Sequence, residues 1–222
     1  TDQLNRVEYR PLEGFVYTIT PVNFTAIASN LNMAVALMGN TTVWKPATTS
    51  LLSSWLLMKV FMEAGVPAGV INFLPGQGSV ISSVTMNHPD LGGIHFTGSN
   101  STFNGLWKTA AANLEKYKSY PRIVGETGGK DFIMIHSSAN PREAATAIIR
   151  GAFEYQGQKC SAASRAYIPA SLWQKTKEYL VKMTSEMKSG DVTDFKNFLN
   201  AVIDDTSFEK IMHYINAAHN SS

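Results

Sequence analysis

Short apolar runs alternate along the chain with longer segments in which apolar residues recur at a spacing near 3.6. The short runs are rich in β-branched and aromatic residues and end at Pro or Gly, a pattern typical of strands, whereas the longer segments have the periodicity of helices. The first half contains four of each: strands at 14–20, 41–45, 70–74 and 93–96, and helices at 25–38, 50–64, 79–86 and 101–117. Four successive strand–helix pairs predict an α/β fold with a parallel, Rossmann-type sheet and helices on both faces.

The pattern changes after Pro121, where two extended runs flank the glycine-rich stretch Glu126-Thr-Gly-Gly-Lys130, which is predicted as a turn. The predicted elements of this second part are strands at 122–125, 132–136 and 165–168, and helices at 141–155, 171–187 and 206–218. Pro141 suits the first turn of its helix, because the first helical amides have no intrahelical partner. We place a domain boundary at the turn, with residues 1–127 before it and residues 128–222 after it.

Composition narrows the class of protein. The chain is 44% hydrophobic and 16% charged, as expected for a globular core, and its net charge of +2 comes without a basic run. Nucleic acid is therefore not a predicted partner. No apolar run reaches the roughly 18 residues of a membrane span, so the sequence does not predict association with a membrane either. The chain starts without Met and stops directly after a helical pattern, so we expect a fragment.

Cys160 is the single cysteine, which excludes an intrachain disulfide and indicates a reducing compartment. Gly157 lets the chain turn sharply just before it. Small residues from Ser161 onwards leave room for a substrate at the sulfur. We expect Cys160 at a helix start, where the helix dipole favours the thiolate of a nucleophile. The alternative is a small buried hydrophobic residue.

Polar or glycine residues follow each of the four predicted strands: Asn23, Lys45, Gly76 and Gly98-Ser99. Because the carboxyl ends of parallel strands lie at one edge of a sheet, we expect them to form one ligand site, with a dinucleotide as the default ligand. The usual G-x-G-x-x-G motif is absent, since Ile81 occupies the third glycine position after Gly76-Gln-Gly78. The phosphates of a nucleotide would therefore be held in another way.

Each candidate side chain also has an ordinary structural interpretation. Lys45 could bind ribose or phosphate, or be a solvated strand end. Glu126 could be a general base, or a turn residue that accepts hydrogen bonds from nearby amides. Asn23 could stabilise an oxyanion, or cap the helix that follows it. His136 could pair with Cys160 as in a thiol hydrolase, and the five histidines show no metal-ligand spacing.

Five blocks resemble, in order, the signature motifs of aldehyde dehydrogenases, and the resemblance covers nearly all 222 residues. The blocks are Pro21-Val-Asn23-Phe24, Gly39-Asn40 followed by Trp44-Lys45-Pro46, Phe96-Thr-Gly-Ser99, Glu126-Thr-Gly-Gly-Lys130 and Gly157-Gln-Lys-Cys160. Within that superfamily the chain is most similar to the Δ1-pyrroline-5-carboxylate (glutamate-γ-semialdehyde) dehydrogenases, on residues 7–14, 23–27 and 153–162. The resemblance implies a Rossmann-type cofactor domain and the first part of an α/β catalytic domain.

The resemblance also implies the chemistry: NAD-dependent oxidation of glutamate γ-semialdehyde to glutamate in proline catabolism, without a metal. Cys160 would attack the aldehyde, the Asn23 side chain and the Cys160 amide would hold the oxyanion, and Glu126 would activate the water that hydrolyses the thioester. Lys45 would bind the adenosine ribose. The residues implied to line the nucleotide groove are Thr20 by its backbone, Gly98, Ser99, Asn100, Ser101 and Thr102. Those implied to face the small-molecule substrate are Phe24 and Ser161.

The resemblance finally implies a longer protein, a homo-oligomer of the mitochondrial matrix, of which these residues are the central portion. We expect these 222 residues alone to be inactive, because family segments that grip the substrate and the nicotinamide ribose have no counterpart in them. The alternatives are an aldehyde dehydrogenase for another aldehyde and a catalytically silent, truncated relative. The presence of Asn23, Glu126 and Cys160 together argues against a silent relative.

Overall fold

The computed structural model describes residues 3–221, which fold as two compact units divided between Gly128 and Gly129. The elements of the first unit are β1 (Phe15–Ile19), α1 (Thr25–Leu37), β2 (Thr42–Lys45), α2 (Leu51–Glu63), β3 (Ile71–Phe73), α3 (Gly78–Thr85), β4 (Leu91–Gly98), α4 (Asn100–Ala112) and β5 (Arg122–Thr127). Those of the second are β6 (Asp131–Met134), α5 (Pro141–Phe153), β7 (Ala163–Tyr167), α6 (Ala170–Glu186) and α7 (Asp205–His219).

The first unit is built on a five-stranded, fully parallel sheet with strand order β3-β2-β1-β4-β5. Tyr17 of β1 is in register with Val43 of β2 on one side and with Ile94 of β4 on the other. Strands β2 and β3 follow one another on one side of β1, whereas β4 and β5 lie on its other side. The predicted parallel α/β fold is confirmed, and the order of strands reverses between β1 and β4, which is where such sheets bind ligands.

Two hydrophobic cores cover the two faces of this sheet. Tyr17, Ile94 and Phe96 pack with Leu106 of α4, whereas Trp44 packs with Ala28 of α1 and Phe61 of α2. Trp44 is in register with Thr18, the residue after Tyr17, and successive strand side chains point to opposite faces. Helices α1 and α2 therefore lie on one face of the sheet and α4 lies on the other.

Buried asparagines join loops and helices to this sheet. Asn32 interrupts the apolar pattern of α1, yet it is fully buried because its Oδ1 accepts a hydrogen bond from Thr18 Oγ1 and its Nδ2 donates to the Ala28 carbonyl. Asn40 Nδ2 donates to the carbonyls of Leu12 and Gly14, 2.9 and 3.0 Å away. Each buried amide is thus satisfied, as burial of a polar group requires.

The second unit contains a two-stranded parallel sheet, β6–β7, with α5 packed on α6. Helix α5 begins as predicted, with Pro141 in its first turn, and Asn140 caps it by accepting hydrogen bonds from the amides of Arg142 and Glu143. The bounds of β6, β7, α6 and α7 lie within two residues of those predicted. Among the described residues, no helix is long and apolar enough to cross a membrane.

Candidate active site

A cleft of about 660 Å³ opens in the first unit, over β1 and between α3 and α4. The ends of β1 and β2 reach it through Ile19 and Lys45, and α4 reaches it through Thr102. Serine and threonine residues line much of the rest, and one of them, Ser82, lies with its Oγ 2.9 Å from the hydroxyl of the fully buried Tyr17. The cleft therefore lies at the reversal point of the sheet and presents hydrogen-bonding groups to a polar ligand.

Lys45 is the one charged side chain among the residues that line this cleft. It is partly buried, and this burial lowers the pKa of its ammonium group. A Cβ at Gly78, the first residue of α3, would lie 3.7 Å from Lys45 Cε and 3.8 Å from Nζ. The end of the Lys45 side chain thus lies beside the start of α3, and the lysine lies in the cleft rather than at a solvated strand end.

The predicted groove segment 98–102 forms the turn from β4 into α4. Ser99 caps α4: its Oγ accepts a hydrogen bond from the Thr102 amide at 3.3 Å and lies 3.2 Å from Ser101 Oγ. Gly98 is required by packing, because a Cβ there would lie 2.7 Å from the Phe96 ring. Of this segment Thr102 lines the cleft, and Gly98, Ser99, Asn100 and Ser101 do not.

Thr20, Asn23 and Phe24 follow β1 directly. The Thr20 hydroxyl is buried and accepts a hydrogen bond from Trp44 Nε1 at 2.9 Å, so only the backbone of Thr20 can serve a ligand. Asn23 and Phe24 are half-buried, and the N-cap position of α1 is held by Phe24. None of these three residues lines the cleft.

Glu126 lies within β5, opposite Thr97 of β4, and not in the turn that the sequence predicted. The pairing with β4 continues as far as Thr127, two residues beyond the predicted strand end. The carboxylate is exposed, and within residues 3–221 it accepts no hydrogen bond from a protein group. Its interpretation as a turn residue bound to nearby amides is therefore wrong.

Cys160 lies in a turn of the second unit that leads into β7, so the prediction of a helix start is wrong. The thiol-bearing residue is half-buried, and Ser161 beside it is exposed. A Cβ at Gly129 would lie 1.7 Å from the Cys160 carbonyl oxygen, which is far inside van der Waals contact. The second glycine of the Glu-Thr-Gly-Gly-Lys block is thus the residue against which the backbone of Cys160 packs.

Two strained residues stand just before Cys160. Tyr155 and Gln156 have φ values of 55° and 56°, and Gly157 has a φ of 68°. A left-handed conformation costs a non-glycine residue about 1–2 kcal/mol, and such strain is concentrated at functional sites. Gly157 was the only sequence signal for this turn, because neither Tyr155 nor Gln156 favours it.

Two other sequence hypotheses concern His136 and metal ligands. His136 is exposed, and its Nδ1 lies 2.9 Å from Ser138 Oγ and accepts a hydrogen bond from the Ser138 amide at 3.3 Å. The structure therefore directs this ring nitrogen to Ser138, and the pairing of His136 with Cys160 gains no support. Within the described part of the chain, no group of three or more His, Cys, Asp or Glu residues could hold a metal ion.

The family model described as "Aldehyde dehydrogenase family" matches residues 1–222. The chain belongs to the aldehyde dehydrogenase family. It is 53% identical over 216 residues to the mitochondrial Δ1-pyrroline-5-carboxylate dehydrogenase of Dictyostelium discoideum, and 45% identical over 218 residues to the mitochondrial human protein of that name. These alignments cover 96% and 98% of the chain and 39% of each relative.

Solved structures give the same family. The chain is similar to the Δ1-pyrroline-5-carboxylate dehydrogenase of Mycobacterium tuberculosis, solved with NAD, with a TM-score of 0.93 and 52% identity. The match covers 97% of this chain and 40% of that one. The corresponding enzyme from Thermus, also with bound NAD, gives a TM-score of 0.88 at 30% identity, over 98% and 44% of the two chains. The chain spans about two fifths of the length of these relatives.

Proposed function

We propose that this aldehyde dehydrogenase chain carries the catalytic thiol of an NAD-dependent enzyme that oxidises glutamate γ-semialdehyde to glutamate in proline catabolism. The observation that carries the proposal is the turn around Cys160, in which the single thiol of the chain follows a strained left-handed run and its backbone is pinned against Gly129. Such placement of one residue suits a nucleophile that must meet a carbonyl in a fixed geometry. The names of the relatives support the substrate.

NAD fits the cleft of the first unit. The cleft lies at the reversal point of a parallel sheet, its volume is large enough for an adenosine moiety, and it offers Lys45 and several hydroxyls to ribose and phosphate oxygens. Lys45 and Thr102 would hold the part of the cofactor that lies in the cleft, and the backbone of Thr20 and the turn formed by residues 98–101, which do not line the cleft, would contact a part that extends beyond it. NAD, when bound, accepts the hydride that the aldehyde carbon gives up.

The residues of the chain supply the covalent steps. Cys160 sulfur forms a bond to the aldehyde carbon, and the carbonyl electron pair moves to oxygen, where the Asn23 side-chain amide and the Cys160 backbone amide donate hydrogen bonds. Once the hydride has left, the carbon is a thioester of Cys160. Glu126 takes a proton from water, whose oxygen attacks the thioester; the C–S bond breaks, and the thiolate and the product carboxylate are released.

The remaining parts of the proposal concern the protein around this chain. Phe24 and Ser161 would contact the aldehyde, and the exposure of Ser161 beside the thiol is compatible with that. The complete protein would be a homo-oligomer of the mitochondrial matrix, in line with the mitochondrial relatives.

Replacing Glu126 with glutamine in the complete protein that contains this chain tests the proposal. We expect a burst of NADH close to one per active site followed by turnover slowed roughly a hundredfold, because the amide cannot take the proton of the hydrolytic water. Stopped-flow absorbance of NADH measures both phases. Glu115→Gln, at an exposed site of the same unit, is the matched control and should leave both phases unchanged. Loss of the burst itself would contradict the assigned role.

Replacing Lys45 with methionine is expected to weaken NAD binding about tenfold, as loss of one charge-assisted hydrogen bond does. In the parent protein the affinity should fall as the pH rises through the lowered pKa of Lys45, because the amine loses the charge that attracts the phosphates. The methionine variant should lack this pH dependence. Calorimetric titration with NAD between about pH 7 and 10 measures both effects. Equal pH profiles for the parent and the variant would exclude Lys45 from the site.

A further inference from the structure

The left-handed turn before Cys160 needs something to hold it, because Tyr155 and Gln156 would relax to other conformations if left alone. Strain of this kind persists only where the surrounding structure over-determines it. The backbone of the turn also packs closely against the end of α5, since a Cβ at Gly157 would lie 2.9 Å from the Ala152 carbonyl oxygen. The contacts of the neighbouring side chains therefore show what keeps Cys160 in its place.

Gln158, the residue after the turn, makes hydrogen bonds in two directions. Its Nε2 donates back into the turn, to the Tyr155 carbonyl at 3.2 Å and to Gln156 Oε1 at 3.3 Å. Its Oε1 accepts a hydrogen bond from the Ile203 amide at 2.9 Å. Ile203 stands 45 residues further along the chain, directly before Asp204, the residue that caps α7. One amide side chain thus fixes the inside of the strained turn and anchors it to the start of a helix.

Glu154 forms a second tie across the same turn. Its two carboxylate oxygens each accept a hydrogen bond at 2.8 Å, one from Arg150 of α5 and one from Lys159, the neighbour of Cys160. The hydrogen bond from Lys159, and after it that from Arg150, keep the pKa of this carboxyl below its ordinary value. Both cations lie on exposed or partly exposed side chains, so water and salt weaken this tie. The three bonds of the Gln158 side chain are neutral, and two of them, those with Gln156 and Ile203, are partly buried, so they depend little on salt.

We propose that Gln158 is a positioning residue for the Cys160 thiol: its side chain locks the left-handed turn and ties it to Ile203, so that the nucleophile is held in its reactive orientation before substrate arrives. This inference rests on the proposed function in one respect, the role of Cys160 as nucleophile. Gln158 acts through the backbone of the turn and supplies no proton or charge. Gly129, against which the Cys160 carbonyl packs, fixes the backbone on the other side of the thiol.

Loss of the side-chain amide has a definite consequence. Without it the Ile203 amide loses its side-chain partner, and the Tyr155 carbonyl keeps only the hydrogen bond from the Gln158 backbone amide at 3.1 Å, so the two left-handed residues gain freedom to relax. Cys160 follows two residues later, so relaxation of the turn displaces the sulfur. A displacement of about 1 Å costs roughly a hundredfold in rate. Binding of NAD should not change, because the residues that line the cleft belong to the other unit.

The test compares two variants of Gln158 in the complete protein. Gln158→Met keeps the length of the side chain and loses its side-chain hydrogen bonds, whereas Gln158→Glu keeps an oxygen that accepts from Ile203. Gln174→Met, on an exposed side chain of α6 that bonds Glu178, is the matched control. Acylation of Cys160 by p-nitrophenyl acetate needs no cofactor and releases p-nitrophenolate as the S–C bond forms, so it reports on the thiol alone once the Cys160→Ala background is subtracted.

We expect Gln158→Met to slow both acylation and kcat by about tenfold to a hundredfold with KM for NAD within twofold of the parent. Gln158→Glu keeps the acceptor for Ile203 but turns a carboxylate oxygen towards the Tyr155 carbonyl and Gln156 Oε1, so its acylation should also be slow at neutral pH. Relative to the parent, its acylation rate should recover as the pH falls and the carboxyl gains an O–H donor, a rescue that general loss of stability would not give. The result should hold at high salt, where the Glu154 tie is screened. If the methionine variant loses much of its melting temperature, the glutamate variant decides.

Parental acylation and kcat in both Gln158 variants would overturn the positioning role. So would slowing that merely follows the fraction of unfolded protein. The proposed function fails separately: a parent protein whose Cys160 is acylated, with the Gln158 dependence described, but which reduces no NAD with any aldehyde would overturn that function and support the positioning role.

Discussion

Replacing Cys160 with alanine in the complete protein that contains this chain is expected to remove NAD reduction by glutamate γ-semialdehyde, with a fall in kcat of roughly 10⁴-fold or more. Cys160 is the single cysteine of these 222 residues, so no neighbouring thiol of the chain can form the thioester in its place. Binding of NAD should persist, because the cleft that would hold it is lined by residues of the first unit.

Absorbance of NADH measures the loss of turnover, and calorimetric titration with NAD measures the binding that remains. Ser185→Ala, at an exposed hydroxyl of α6 in the same unit, is the control for the effects of substitution and should keep parental kcat. Turnover of Cys160→Ala within tenfold of the parent would remove the central assumption of the proposed function.

The sheet of the first unit could be predicted because its signals are local. Strands β1 and β2 are apolar on both faces and stop at Pro21 and Pro46, and the helices between strands carry apolar residues at helical spacing. Four repeats of this unit leave a parallel sheet as the simplest packing. The position of Lys45 at the mouth of a cleft followed from the same argument, since it is the last residue of β2.

Contacts between distant segments explain why some strands begin or end at other residues than the sequence predicted. The predicted strand began at Gly93, whereas β4 begins at Leu91 and includes Gly92, where a Cβ would lie 3.1 Å from the Glu13 carbonyl oxygen on the neighbouring segment. Likewise β5 continues through Glu126 because β4 continues opposite it. Contacts between segments distant in the chain decide both cases, since 79 residues separate Glu13 from Gly92 and 29 separate Thr97 from Glu126, and local propensity does not contain such contacts.

The turn before Cys160 was not predictable for the same physical reason. The sequence predicted that the helix would continue to Tyr155, and neither Tyr155 nor Gln156 is a residue that favours a positive φ. The conformation depends on hydrogen bonds from Gln158, one of which reaches Ile203. The motif blocks of a single sequence make Cys160 and Glu126 candidates for catalysis, but they do not contain the non-local contacts that would orient the thiol.

Replacing Gly129 with alanine is expected to lower kcat about a hundredfold or more and to reduce stability by about 1–3 kcal/mol, the usual range for overpacking. The added methyl group would lie 1.7 Å from the Cys160 carbonyl oxygen and 2.8 Å from its carbonyl carbon, so one of the two backbones must move by more than about 1 Å. The contact is with backbone, which has no rotamer by which to avoid it. Motion of Gly129 strains the start of β6, and motion of Cys160 misplaces the nucleophile.

Gly151→Ala is the graded control for this prediction. Gly151 lies in α5 of the same unit, and its added methyl group would meet only the Ala163 methyl at 3.2 Å and the end of the Ile133 side chain at 3.4 Å. Such contacts yield by a few tenths of an ångström, and alanine suits a helix better than glycine by about 1 kcal/mol, so kcat and melting temperature should stay close to those of the parent. Thermal unfolding, NADH formation and acylation of Cys160 by p-nitrophenyl acetate separate the two variants. If Gly129→Ala also kept parental turnover and melting temperature, the close approach of Gly129 to Cys160 would not exist in the protein, and the thiol would have to be positioned by the Gln158 turn alone.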